Sequence, residues 1–113
     1  MVEGSAFVAA PSGGMTLAQM GAEVIRFDQL GGGIDYKRWP LTEDGVSLYW
    51  NGLNRGKKSV VADLRAPEIQ SLLSELIAAS GNFLTNFPTK GWLSYEKVSE
   101  QRPDLVMVAI TGN

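Results

Sequence analysis

VVADLRAPEIQSLLSELIAASGNFLT, residues 60–85, is the stretch whose reading decides the fold. An apolar run at 60–64 opens it and Phe83-Leu84-Thr85 closes it. Between them Pro67 suits the first turn of a helix, and Ile69, Leu72, Leu73, Leu76 and Ile77 recur at helical spacing on one face. A strand, an amphipathic helix and a second strand in that order favour a parallel pair joined by a right-handed crossover.

The same alternation extends outward. Upstream, residues 2–9 read as a weak, small-residue strand, Pro11-Ser12-Gly13-Gly14 as a turn, and residues 15–20 as a helix ended by Gly21. Residues 24–27 form a second strand, which runs through Asp28 into the loop Gly31-Gly32-Gly33 and a long irregular connection to about Gly45. Periodicity does not decide between helix and extended chain for residues 47–51. Downstream, Ser94 is placed as an N-cap, with Leu93 and Val98 as a hydrophobic staple and a helix expected through about Gln101. After Arg102-Pro103-Asp104, the continuous apolar run 105–110 predicts a strand covered on both faces. The fold class is α/β, Rossmann-like, with a mostly parallel sheet. Its helices are too few to cover both faces, so the sheet is expected to be incomplete, exposing apolar surface and self-associating or depending on a missing partner segment. No second domain is expected within residues 1–113.

With 113 residues, 44% hydrophobic and 19% charged, the chain has the composition of a globular domain, and its net charge of −2 argues against nucleic acid as a partner. It has no cysteine and no histidine, which removes disulfides, thiolate metal sites and Ser-His-Asp chemistry; no metal is expected. The first residues lack a basic region, and the apolar run at 6–10 is too short for a signal core or a membrane span, so a cytoplasmic location without membrane partners is expected.

Arg55, Lys57 and Lys58 form a dense basic turn at the entrance to the strand at 60–64. They suit either a phosphate-bearing ligand or a solvated turn. The P-loop pattern fails, since Asn51 stands where glycine is required and Lys58 where Ser or Thr is. The dinucleotide fingerprint fails as well, with Tyr36 in place of the last glycine after Gly31-Gly32-Gly33. Pro11-Ser12-Gly13-Gly14 is placed to present backbone N–H groups to an anion but lacks the glycine spacing, and a plain tight turn is the competing reading.

Residues 9–11 and 21–28, Arg38-Trp39, residues 47–50, residues 53–60, Asp63-Leu64, Pro67-Glu68, Asn86-Phe87 and Thr111-Gly112 together resemble, in order, the N-terminal part of the family III CoA-transferases. The wording of residues 3–11, 84–88 and 110–113 is most similar to the isomerase branch, in which CoA moves between the two carboxyl ends of one C5 dicarboxylate. The resemblance implies a Rossmann-like large domain, of which residues 1–113 are the N-terminal portion, a smaller second domain and an interlocked homodimer. It further implies acyl-CoA as substrate, with CoA as the group carried, and a thioester of a small dicarboxylic acid attacked by an aspartate to give a mixed anhydride. That aspartate would lie beyond the matched segment, so no catalytic residue is assigned and the chain alone is expected to be inactive. A stand-alone nucleotide- or CoA-binding module without catalysis is the alternative.

Carried over residue by residue, the resemblance places Asn86 and Phe87 along the pantetheine of CoA, Arg65 near its adenosine, and Val8 at the thioester end through an apolar or backbone contact. Lys57 and Lys58 become candidate CoA neighbours. Gln29 departs from the basic residue usual at its position, and Lys90 is the available replacement for another.

Structural readings compete with several of these. Asp63 suits a cap near Arg65, Asp28 either a ribose-binding acid or an exposed strand end, Phe87 the core, and Trp39, Trp50 and Trp92 packing anchors. Tyr36 and Tyr49 have no partner legible in the sequence.

Overall fold

A computed structural model describes residues 1–112. Asn113, part of the motif read at the C-terminal end, lies outside the described residues. Five parallel strands, β1 (Val2–Gly4), β2 (Ile25–Gln29), β3 (Lys58–Ala62), β4 (Asn82–Thr85) and β5 (Val106–Ala109), form one sheet in the order β3-β2-β1-β4-β5. The helices are α1 (Ala9–Gln19), α2 (Leu48–Leu53), α3 (Pro67–Ser80) and α4 (Tyr95–Val98), with a single 3-10 turn at Gly91–Leu93. The α/β, Rossmann-like reading holds.

β3, α3 and β4 are parallel as expected, but the two strands are not neighbours, because β2 and β1 stand between them. Three inter-strand spacings of about 4.8 Å separate them, so the connection through α3 carries the chain back across the sheet. The chain therefore reverses its direction of travel across the sheet between β1 and β4, which opens a crevice at their carboxyl ends.

The two faces of the sheet are chemically different. Val2, Phe27 and Phe83 point to one side, where Leu73 and Ile77 of α3 join Leu93, Val98 and Leu105 in a dry core. Each such side chain contributes roughly 1.5–3 kcal/mol by leaving water. Ile69 and Leu76 pack at its margin, whereas Leu72, expected on the same helical face, is exposed. Phe27 is ringed by Phe83, Phe87 and Trp92 at centroid distances of 6.0–6.2 Å. On the opposite side, under α1, lie Glu3, Arg26 and Asp28 of the strands and Ser5 just past β1, all buried.

α1 begins six residues earlier than expected, absorbing Pro11-Ser12-Gly13-Gly14 into the helix. Proline is tolerated there because a first-turn N–H has no intrahelical acceptor. Gly14 is needed for close approach: a Cβ on it would lie 1.8 Å from Glu3 Oε2. Residues 48–53 settle as helix because Ser47 caps them, its hydroxyl accepting the N–H of Trp50 at 3.0 Å. Ser94 caps α4 with its hydroxyl on the Lys97 N–H, and Leu93 and Val98 are buried as a staple requires, but the helix stops at Val98.

β5 is not covered on both faces. It is an edge strand, and Val106 and Val108, on the same face as Leu84, are 58% and 50% exposed. An apolar run thus marks a strand suited to cover on both sides without supplying that cover. Among the described residues no helix is long and apolar enough to cross a membrane.

Candidate functional site

The crevice at the reversal point is a cleft of about 310 Å³, lined by Ser5, Ala6 and Phe7 after β1, Asp28 and Gln29 of β2, Gly33 and Ile34 beyond it, Leu64 after β3, and Asn86, Phe87 and Pro88 after β4. Every contributing strand delivers its carboxyl end here, the place where open parallel sheets bind ligands. Most of the lining is apolar, with Ser5, Asp28, Gln29, Asn86 and the loop backbone as its polar groups.

An ion network shares Ser5 and Asp28 with the cleft lining. Period-two alternation points Glu3 of β1, and Ser5 just past its end, to the same face as Arg26 and Asp28 of β2, and Glu3 stands beside Arg26 in register. Arg26, 2% exposed, holds Asp28 with two bonds, Nε to Oδ2 at 2.9 Å and Nη2 to Oδ1 at 3.0 Å. Its Nη1 donates to Ser5 Oγ and to Asn54 Oδ1, both at 3.0 Å, and the guanidinium lies 4.2 Å over the Trp50 ring. The Lys57 ammonium donates to Glu3 Oε1, Pro11 C=O and Asn54 Oδ1, each at 2.8 Å, which uses all three of its protons. Burial holds the Lys57 ammonium below the usual lysine range, although Glu3 pulls the other way. Glu3 Oε1 also accepts from Ser5 Oγ, whereas Oε2 is buried without a partner. Two cations and two carboxylates balance the cluster.

The residues singled out in the sequence are distributed as follows. Asn86 and Phe87 both line the cleft. The Asn86 amide is engaged with Ala6, donating to its C=O at 2.7 Å and accepting its N–H at 2.8 Å. Phe87 packs edge-on against Phe27 while facing the cleft, so it is a core residue and a lining residue at once. Val8 follows Phe7 as the N-cap position of α1, half exposed. Arg65 is 98% exposed beside a shallow depression that shares Gln29 and Leu64 with the cleft. Lys57 and Lys58 instead border a second groove of about 460 Å³ with Tyr36, Trp50, Asn54 and Val61. There Lys57 has no free proton to offer, and Lys58 pairs at the surface with Glu23 at 2.6 Å. That pairing holds the Glu23 carboxyl below the usual carboxylate range.

Asp28 is neither an exposed strand end nor a free acid, since Arg26 holds both of its oxygens. Asp63 accepts the Arg65 N–H at 3.1 Å, shaping the turn, while the N-cap position of α3 is Ala66. Trp50 and Trp92 are packing anchors as expected, but Trp39 is 76% exposed. Tyr36 meets Trp50 edge-on, and Tyr49 lies under Arg38.

Sequence reasoning missed Glu3, Ser5, Asn54, Arg26 and Asp35. For Glu3, Ser5 and Arg26 a signal existed: Glu-x-Ser in one predicted strand and Arg-x-Asp, running from a second into Asp28, put opposite charges at period-two spacing, whereas Asn54 follows a short helix outside that pattern. Asp35 lies in an irregular connection that carries no such periodicity.

Comparison with known proteins agrees with this fold. The model of CoA-transferase family III matches residues 1–113. The chain is 61% identical to 2-methylfumaryl-CoA isomerase of Chloroflexus aurantiacus, with 99% of this chain aligned to 29% of that protein. It is 37% identical to succinate–glutarate CoA-transferase of Agrobacterium fabrum, with 99% of this chain aligned to 31% of that one. A crystal structure of a CAIB/BAIF family protein from Brucella suis superposes with a TM-score of 0.83 at 32% identity, over 98% of this chain and 32% of that one. The chain spans less than a third of the length of these relatives.

Proposed function

The chain belongs to CoA-transferase family III, and from that premise we propose that residues 1–113 are the N-terminal, CoA-binding part of a large Rossmann-like domain, in an enzyme acting on the CoA thioester of a small dicarboxylic acid. The observation that carries this reading is the cleft at the strand-order reversal, with Asn86 and Phe87 in its wall. The 61% identity to an isomerase of a C5 acyl-CoA favours movement of CoA within one substrate over exchange between two.

In this reading Phe87 packs along the pantetheine arm and Asn86 fixes the loop that the arm meets. Val8 faces the thioester end and Arg65 supplies an exposed cation for the nucleotide end. Lys57 serves the site indirectly, through Glu3 and Ser5, and Lys58 is an outlying cation. The nucleophile is none of the carboxylates at the cleft. Asp28 is locked by Arg26, and an acid so held by two charge-assisted bonds is a poor attacking group. A carboxylate from outside residues 1–113 is therefore required, and the chain alone forms no anhydride. A homodimer and a cytoplasmic location complete the proposal.

The same locked acid favours a second reading, a module that binds CoA without chemistry of its own. Calorimetric titration of CoA into the chain tests the binding that both share. Heat that saturates below about 1 mM supports it, and none at that concentration contradicts it. Release of CoA thiol from an added acyl-CoA by the chain alone would overturn the assignment of an external nucleophile.

A further inference from the structure

Three consecutive backbone units in the cleft wall are each gripped by a side chain from a different part of the fold. Arg26 Nη2 donates to the Ser5 C=O at 2.6 Å. Asn86 brackets Ala6, bonding both its N–H and its C=O. Asp35 Oδ2 accepts the Phe7 N–H at 2.6 Å. Phe7 is the one non-glycine residue with positive φ among those described, at +62°, a conformation that persists only where the surroundings impose it. Asp35 is 2% exposed although it sits in the irregular connection after β2, and its other oxygen accepts from Arg38 Nη1 at 2.9 Å. Arg38 in turn lies 5.7 Å over the Phe7 ring.

Residues 5–7 have left the strand and not yet entered α1, so neither ladder nor helix satisfies this backbone. We propose that Asp35, Asn86 and Arg26 are positioning residues that preset Ser5–Phe7 as a rigid ledge, so that a ligand seated in the cleft meets a wall already in its bound shape. Resting on the CoA reading of the cleft, this adds Asp35, a residue outside the cleft lining, to the determinants of affinity. It acts by removing the cost of ordering the loop on binding.

Two substitutions separate pinning of Phe7 from pairing with Arg38. Asp35→Asn keeps an acceptor for the Phe7 N–H and discards the charge, while Asp35→Ala discards both. In the ligand-free chain, exchange of the Phe7 amide hydrogen is expected to speed up at least about tenfold in Asp35→Ala and to return toward the parent rate in Asp35→Asn. The dissociation constant for CoA, read by calorimetry, should weaken about tenfold in Asp35→Ala and recover to within about threefold in Asp35→Asn. Far-UV circular dichroism and the thermal midpoint establish that each variant is folded. If Asp35→Ala does not fold, Asn86→Ala releases Ala6 and is read by the Ala6 amide in the same way.

A Phe7 amide that exchanges freely in the parent chain overturns the ledge whatever CoA does. Equal defects in Asp35→Asn and Asp35→Ala overturn it in favour of the Arg38 pairing, and unchanged CoA affinity in Asp35→Ala overturns its role in binding. A parent chain with a protected Phe7 amide but no CoA binding leaves the ledge standing and removes the CoA reading instead.

Discussion

Glu3 and Lys57, 54 positions apart in sequence, meet at 2.8 Å with both side chains closed off from water. One belongs to the central strand and the other to the turn that enters the edge strand β3. Their contact ties the first residues of the chain to the basic turn, which is why that turn points its lysine inward. Removing the ammonium leaves a buried carboxylate with Arg26 Nη1 at 3.5 Å as its remaining cation. Lys57→Met is therefore expected to destabilise by about 3 kcal/mol, read by urea unfolding. Combining it with Glu3→Leu should cost less than the sum of the two single changes, because the double variant buries no lone charge.

The Lys57 ammonium also predicts a dependence on pH. Its folded pKa lies below the ordinary 10.5 because burial penalises the charged form. Folding thus favours the neutral amine, and the stabilisation is complete above the unfolded pKa and lost as pH falls through the folded one. Unfolding free energy of the parent minus that of Lys57→Met should rise between neutral pH and pH 10.5. A difference that falls over this window would contradict the assignment. Glu23, lowered by its bond to Lys58, has the opposite placement: its stabilisation is present above 4.5 and lost on acidification.

Adjacent glycines in α1 should respond with opposite signs. A Cβ on Gly13 would meet Leu84 at 3.5 Å, an ordinary contact, so Gly13→Ala should gain up to about 1 kcal/mol from helix propensity. At Gly14 the added carbon would fall 1.8 Å from Glu3 Oε2, and overpacking against the ion network should cost about 2 kcal/mol net. Chemical unfolding of the two variants side by side checks both signs.

Arg65 offers a test of binding that stability does not complicate. Being 98% exposed, it should change unfolding free energy by less than about 0.5 kcal/mol on replacement by Ala. The same variant should weaken CoA and flatten the salt dependence of its affinity. An unchanged salt slope would remove Arg65 from the site.

Much of this fold was legible because its signals are periodic. Pro67 and the spaced apolar residues after it give α3, Ser94 with Leu93 and Val98 gives the start of α4, and the apolar runs give the strands. The order of those strands was not legible: β3 and β4 flank the helix in sequence yet are separated by β2 and β1, a choice made by packing across the whole sheet. The start of α1 was hidden because proline and glycine usually mark turns, whereas here they serve a first turn and a close approach to Glu3. At the site, Asn86 and Phe87 were found through a family resemblance and do line the cleft. The orientation of the basic turn was not legible, since nothing in Lys57-Lys58 says that one lysine faces inward and its neighbour outward. Asp35 gave no signal, because its role is fixed by the backbone of Phe7, to which the sequence pattern does not point.

The central claim is that CoA occupies the cleft at the reversal of strand order, and a nuclear magnetic resonance titration of CoA into the chain, following backbone amides, tests it most directly. The largest shifts are predicted at Ala6, Phe7, Val8, Asn86 and Phe87. Shifts confined to the Lys57–Lys58 groove, or no shifts at saturating CoA, would contradict it.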